Sequence, residues 1–315
     1  MIKWGLTSNG KQRFRCRFCK ISNIRKRPDQ RKRRTEVLFE RWLLETETLG
    51  RLAHRKNTTA SSFLKRFNQF WDIKIEPIKY INNDHTLLVD GIILERNSCV
   101  LIAIDGDGIP VTWYSCMREN STNWDVLFEL VKKQGFSPSV IVSDGQKGLI
   151  KSIHWSFGHI SHQRCMTHVV RLSQAWLTRN PQTMAGVELR AIAGDLYKVI
   201  TRDDRDKWNL KFKDWNEKHL KFLKERSVSL ETKRWWYTHR RLRAVRSLIL
   251  GALPELFTFI DIANTPRTTN RLEGGVNSPI KALLRHHRGM KNLHKKVLVF
   301  RFLRARQYRN TNTKG

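Results

Sequence analysis

Acidic side chains run out before this chain does. Glu273 is the last of them, and from there to Gly315 the only side chains that carry charge near neutral pH are Lys, Arg and His. Long apolar runs are missing too. None approaches the roughly 18 residues that a membrane-spanning helix needs, and the N-terminal MIKWGLTSNGKQRFRCRFCK lacks the apolar core of a signal peptide. Both absences point away from a membrane protein. Cysteine is scarce: the five present (Cys16, Cys19, Cys99, Cys116, Cys165) are too few and too scattered for a disulfide framework, which fits a reducing cytosol. No internal repeat is visible, and only the closing NTNTKG has the composition of an unstructured tail.

Basic residues fill the space the acids leave. Sixty Lys and Arg against 28 Asp and Glu give a formal charge of +32. Self-repulsion of that size is offset by a polyanion. Nucleic acid fits better than a membrane surface, because the basic residues are spread along the chain and not confined to one amphipathic helix. At 315 residues the chain is long enough for two or three domains.

Five segments follow from local pattern. Residues 1–27 form a basic, Gly-containing arm with a CxxC at Cys16 and Cys19, half of a zinc site. Residues 28–80 are helical, and TLGRLAHRKNTTASSFLKRFNQFW predicts helix, turn, helix. Leu49, Leu52 and Ala53 share one face, Thr59 or Ser61 caps the second helix, and Phe63, Leu64 and Phe67 turn inward. Lys65 and Arg66 are left free for DNA in the helix-turn-helix manner, although an ordinary αα-hairpin has the same pattern. Residues 81–178 hold three apolar, β-branched runs with a DGDG hairpin signal at Asp105–Gly108. Alternating helices and short strands follow, the first of these strands parallel to the first run. Residues 179–262 predict an all-helical insertion, and 263–310 a final helical pair. The order strand, strand, strand, helix, strand, helix, strand, helix is that of an RNase H-like α/β fold with a mixed sheet.

Three carboxylates stand out. Asp90 interrupts TLLVDGIIL, where burying a charge is costly unless it is paired or holds a metal. Asp144 ends SVIVSDG, a position that lines sites in α/β sheets or caps the next helix. Glu273 lies in TTNRLEGG, where Asn270, Glu273 and Asn277 fall on one helical face. The adjacent Gly-Gly weakens that helix and permits close approach of another backbone. A turn explains Asp105 and Asp107 but fits Asp90 less well, because the apolar run continues through Ile92, Ile93 and Leu94, while a solvated helix face is the better reading of Glu273 taken alone. Together, in a basic chain, they suggest metal-dependent phosphoryl transfer on nucleic acid.

VDG at Asp90, SDG at Asp144, the CxxH of Cys165 and His168, NRLEGGVNSPIK around Glu273 and YTHRRLRAVRSL together resemble the motifs of Mutator-type DDE transposases of bacterial insertion sequences, from about Gln12 to Gln307. WGLTSNGKQRFRCRFC resembles the second half of the zinc ribbon at the front of many bacterial transposases, here a remnant too short of ligands to hold Zn²⁺ tightly. The resemblance implies an RNase H-like core interrupted before the Glu, with Asp90, Asp144 and Glu273 as catalytic acids. Cys165 and His168 match the family's CxxH. They are read as supporting residues, together with Asn270 and Asn277, in preference to metal ligands.

The expected chemistry uses two Mg²⁺ (or Mn²⁺) ions on Asp90, Asp144 and Glu273, with Asp90 bridging. Water frees a 3′-hydroxyl at the element end, and that hydroxyl attacks target DNA. Lys281, Arg285 and Arg288, with Lys291, Lys295, Lys296, Arg301 and Arg304, are expected to hold phosphates. Leu298, Val299, Phe300 and Leu303 are expected to face the core. Partners are double-stranded DNA and a second copy of the chain in a synaptic complex, in the bacterial cytoplasm at the nucleoid. Two alternatives stay open: a catalytically inactive remnant acting as a DNA-binding regulator, and an RNase H-like nuclease that cuts without joining.

Overall fold

The computed structural model describes residues 1–24, 28–82 and 84–312. Residues 25–27, the end of the basic arm, and 313–315 lie outside the described residues. The chain divides into two compact units, Met1–Ile75 with Ala282–Phe302, and Glu76–Lys281 with Leu303–Gly315. The segment at 263–310 is thus shared between them.

The first unit opens with an antiparallel three-stranded ribbon: β1 (Ile2–Leu6), β2 (Gln12–Arg15) and β3 (Ser22–Ile24). Cys16 and Cys19 lie in the β2–β3 turn with free thiols. The backbone N–H groups of Cys19 and Phe18 hold the Cys16 thiol below its usual value. Helices α1 (Pro28–Leu44), α2 (Leu49–Arg55) and α3 (Ala60–Phe67) follow. Phe39, Leu43, Leu52, Phe63, Phe67, Phe70 and Trp71 form their core with Leu283, Val297 and Leu298. Aromatic rings dominate it: Phe39 packs edge-on to Trp71 at 4.8 Å between centroids and to Phe67 at 5.3 Å.

Thr59 caps α3, its side chain accepting from the Ser62 N–H at 3.2 Å. Thr59→Ala removes that acceptor, and we expect a loss of about 1 kcal/mol in urea unfolding with α3 still formed. An unchanged midpoint would show the cap to be idle. Leu64, expected inside, is 50% exposed. The buried stripe of so short a helix is already filled by Phe63 and Phe67, four residues apart on one face.

The second unit is built on a five-stranded mixed sheet in the order β6-β5-β4-β7-β8: β4 (Thr86–Glu95), β5 (Ser98–Asp105), β6 (Pro110–Cys116), β7 (Val140–Ser143) and β8 (Ser161–Arg164). The first three make an antiparallel meander, and β7 and β8 run parallel to β4. Every residue of β5 is buried, as its continuous apolar run requires. The β5–β6 turn is held by Asp105, which accepts from Ile109 N–H at 2.7 Å and Tyr80 Oη at 2.9 Å. On one face Leu87, Val89, Leu101 and Ala103 pack with Trp124, Leu127 and Phe128 of α4 (Ser121–Lys133) and Leu149 and Ile153 of α5 (Lys147–Phe157). Strand alternation turns Asp90, with Leu88 and Ile92, to the opposite face.

A second core joins α6 (Met166–Leu177), α7 (Met184–Asp195), α8 (Arg202–Lys218), α9 (Leu220–Leu223) and the long helix after them. The segment 179–262 is not wholly helical. Between α9 and α10 (Arg240–Leu256) it forms an antiparallel hairpin of β9 (Arg226–Val228) and β10 (Trp235–Tyr237). Its aromatic run WWY suits a pleated surface, and Arg226 stacks on Trp235 across the pair. Next come α11 (Thr258–Asp261), α12 (Asn270–Leu272), a π-turn at Glu273–Asn277, α13 (Ser278–His286) and α14 (Asn292–Asn312). The closing residues are therefore helical as far as Asn312. Among the described residues no helix is long and apolar enough to cross a membrane.

Candidate active site

Asp90 occupies the middle of the central strand β4, paired with Ile102 of β5. Its Oδ1 accepts from the Gly91 N–H and its Oδ2 from Asn277 Nδ2, both at 2.8 Å. Burial, with Asp144 close by, pushes its carboxyl up to about 7, and the hydrogen bond from Gly91 and the His168 charge only partly oppose this.

Asp144 follows the last residue of β7, the strand next to β4. Its Oδ1 accepts from the Gln146 N–H at 3.0 Å. A buried network fixes this turn: Ser143 Oγ meets His162 Nε2 at 2.7 Å and accepts from the Gly145 N–H at 3.1 Å, while His162 Nδ1 lies 2.9 Å from Glu255 of α10. Gly145 has φ +74, and a Cβ there would lie 2.0 Å from Arg164 Nε. Glycine is required at this place both by backbone conformation and by the packed guanidinium.

Glu273 begins the π-turn, in which the Ser278 N–H bonds the Glu273 carbonyl. π-turns recur at functional sites because they re-aim a helix face. Arg271 donates to the Gly106 carbonyl, and Arg306 donates to the Gly108 and Gly275 carbonyls, each at 2.8 Å, so the turn is tied to the β5–β6 hairpin. Glu273 Oε1 accepts from Thr269 Oγ1 at 2.7 Å, and Oε2 from Arg171 at 2.9 Å. Burial pushes this carboxyl up, but Thr269, His168 and Arg171 outweigh it and hold it below the usual range.

His168 Nδ1 is 3.7 Å from Glu273 Oε1, and its charge also acts on Asp90 and responds to Asp144. A hydrogen bond with Cys165 raises it to about 9 against the opposing effect of burial, so the ring is protonated at neutral pH. The Cys165 thiol is fully buried. Burial pushes it up, yet hydrogen bonds with His168 and Thr269 bring it below the ordinary thiol value. Cys165, His168 and Glu273 can each offer one ligand atom, all within 4.8 Å of one another. A zinc-like ion takes such a sulfur, nitrogen and oxygen set only once His168 and Cys165 have lost their protons, whereas carboxylates alone, as on Asp90 and Asp144, suit Mg²⁺ or Mn²⁺.

Two further side chains join this neighbourhood without any signal in the sequence motifs. Glu119, in the β6–α4 loop, accepts from the Cys99 thiol at 3.5 Å and fills the space beside Gly91, where a Cβ would lie 2.1 Å from its Oε1. Burial and the Asp144 charge raise it, against the hydrogen bond from Cys99. Arg164 is lowered by burial and drawn back up by Asp144 and Glu255. The one hint was Gly91 itself, since a glycine inside a strand often marks a close approach.

Asn270 is exposed, and its backbone N–H bonds Thr268 Oγ1. Lys65, Arg66, Arg285 and Arg288 are exposed in the first unit, and Lys281 is exposed in the second. Arg301 is not a free phosphate ligand: it is 4% exposed and paired with Glu36 and Glu40. Arg304 is likewise engaged by the Glu76 carbonyl. Of the apolar residues expected inside, Leu298, Val299 and Leu303 are buried and Phe300 is partly so.

The class of protein follows from the segment that carries these side chains. Residues 88–288 match the family model described as "Transposase, Mutator family", and the chain belongs to that family. It is similar to the transposase for insertion sequence element IS256 in transposon Tn4001 from Staphylococcus aureus, with 32% identity over 82 residues. The counterpart from Enterococcus faecalis (strain ATCC 700802 / V583) matches equally, with 32% identity. These alignments cover 25% of this chain and 21% of each relative, so the chain spans about a fifth of the length of the curated proteins it matches. Among solved structures, the Drosophila P element transposase strand transfer complex aligns over 89% of this chain and 80% of that one. Its identity is 11% and its TM-score 0.31, a likeness that defines neither fold nor function.

Proposed function

We propose that this chain is a DDE transposase of a bacterial insertion sequence, with an RNase H-like core that cuts element ends and joins the freed 3′-hydroxyl to target DNA. The observation that carries this reading is the 2.8 Å hydrogen bond from Asn277 to Asp90, which ties the turn opened by Glu273 to the central strand, although the two acids lie far apart along the chain. Asp144 follows the neighbouring strand. Support also comes from the strand order and from the family match, which spans all three acids.

The donor set fits divalent cations. Asp90 is an under-neutralised oxygen donor, pressed toward neutrality by burial and by Asp144, and a bound cation reverses that effect. Mg²⁺ or Mn²⁺ held by Asp90, Asp144 and Glu273 would supply positive charge to the scissile phosphate and to the attacking and leaving oxygens. Asn277 fixes one oxygen of Asp90, and Thr269 and Arg171 fix both oxygens of Glu273. Cys165 holds His168, whose proton offsets the clustered negative charge before a cation arrives. Lys65, Arg66, Lys281, Arg285 and Arg288 contact phosphates of double-stranded DNA, and synapsis of two ends requires at least a second copy. Cys16 and Cys19 are half of a ribbon site. The protein acts in the bacterial cytoplasm.

A supercoiled plasmid carrying two element ends, incubated with Mg²⁺, Mn²⁺ or EDTA, tests the reading. Wild-type protein gives metal-dependent nicked and joined products. Glu273→Gln lowers them by at least about 10²–10³-fold, with DNA binding in EDTA retained. Joined products at wild-type level from Glu273→Gln remove that residue from the site. Binding with no metal-dependent cut in wild type makes the chain a DNA-binding regulator, and cutting without joining makes it a nuclease.

A further inference from the structure

The β9–β10 hairpin stands in the second unit, in a segment to which no part of the chemistry above is assigned. A cavity of about 480 Å³ opens beneath it, lined by Leu220, Leu223, Lys224, Arg226, Tyr237, Arg243 and Arg246. Four of those seven side chains are cationic and none is acidic. So many like charges around one small space repel one another. The nearest carboxylate in sequence, Glu225, is engaged by His239 at 2.9 Å.

The cations are held in place by aromatic faces and polar neighbours. The guanidinium of Arg226 lies 4.1 Å from the centre of the Trp235 ring, and that of Arg243 lies 3.5 Å from the centre of Tyr237. Arg243 donates to the Leu223 carbonyl at 3.0 Å, and Arg246 donates to Asn216 Oδ1. A guanidinium stacked on a ring keeps its N–H edge free, and that edge matches a phosphate in the bidentate manner. Trp235 stays 52% exposed at the rim, next to the partly exposed Trp236 and Tyr237. An indole held open beside guanidinium groups is a stacking platform for a nucleic-acid base.

We propose that this hairpin and the cavity beneath it bind a DNA strand, with phosphate against Arg226, Arg243 and Lys224 and an unpaired base on Trp235. The strand is single or locally unpaired, because bases inside a duplex present no face to an indole. The choice of DNA as the polyanion rests on the function proposed above. The cationic and aromatic geometry does not.

The test uses the full chain in EDTA, so failure of the catalytic reading leaves it intact. Anisotropy with a fluorescein-labelled 20-nucleotide strand, and with its duplex, is followed across a salt series. Arg226→Ala weakens strand binding and flattens the salt slope by about 1. Trp235→Ala weakens single-strand binding by roughly 5–100-fold with a smaller effect on duplex, and Trp235→Phe restores most of it. A strand bearing 5-iodouracil, irradiated in the complex, marks the peptide that holds Trp235 and Tyr237. Unchanged binding in both alanine variants overturns the proposal, as do crosslinks confined to other peptides. Displacement of the strand by submillimolar inorganic phosphate would also overturn it, because the cavity would then be a small-anion site.

Discussion

Asp90→Asn is expected to abolish strand cleavage and joining and, in the same protein, to raise stability above pH 7. Both follow from the loss of one carboxylate, the first because a proposed metal ligand goes and the second because a buried charge goes. The folded-state carboxyl sits at about 7 against an ordinary value of 3.8, chiefly through burial and the Asp144 charge. Between those values the folded protein binds more protons than the unfolded one, so stability falls as pH rises through that window and then levels. Asparagine cannot ionise and removes the fall. It also fits the local bonding. Asn277 Oδ1 is buried without a partner, and a flipped Asn277 amide can accept from the new Nδ2–H. We expect a gain of about 2 kcal/mol at pH 8 without divalent metal, read from urea midpoints at pH 5.5 and pH 8 for both proteins. Wild-type protein whose midpoint is the same at the two pH values would refute the electrostatic account. Joined products from Asp90→Asn would refute the catalytic one.

Arg301→Met is expected to destabilise the first unit by about 2–3 kcal/mol, below the full cost of breaking a fully buried pair because its partners are partly solvated. The guanidinium lies among Glu36, Glu40 and the Phe70 carbonyl and 5.0 Å from the Phe39 ring centre. Methionine keeps much of the apolar stem but strands two carboxylates beside an aromatic core. Two units need not unfold together, so indole fluorescence should be paired with a probe confined to the first unit. Adding Glu36→Gln and Glu40→Gln should return part of the loss. A single variant as stable as wild type would mean that the pair contributes nothing.

Strands β4 to β7 were legible because they carry dense apolar runs bounded by turn signals, and DGDG marks the β5–β6 hairpin, whereas β8 is the polar SHQR. Asp90 was conspicuous because a turn fits an acid poorly where the apolar run TLLVDGIIL continues beyond it. What stayed hidden depends on through-space partners. Arg301 looks like any other cation of the basic C-terminal stretch until Glu36 and Glu40 stand beside it. Glu119 lies in a loop without a motif, and only the fold sets it against Gly91. The hairpin at Trp235 was masked by the helical segments around it, since three-residue strands leave almost no periodic signal. The Gly-Gly after Glu273 suggested a weak helix. It did not suggest a widened turn, which also depends on Arg306 reaching across to the Gly275 carbonyl.

That widened turn gives the helix one residue of slack in its length. Its i to i+5 bond between Glu273 and Ser278 absorbs one extra residue relative to α-helical winding. Deleting Gly274 would make Ser278 the fourth residue after Glu273, so the same bond would close an ordinary α-helical turn and the residues downstream would keep their phase relative to Leu272. Inserting a residue beside Gly274 would instead turn them by about 100° and carry Asn277 away from Asp90. Point substitutions at the two glycines and changes of length at them therefore test different things: the first probes space, the second phase.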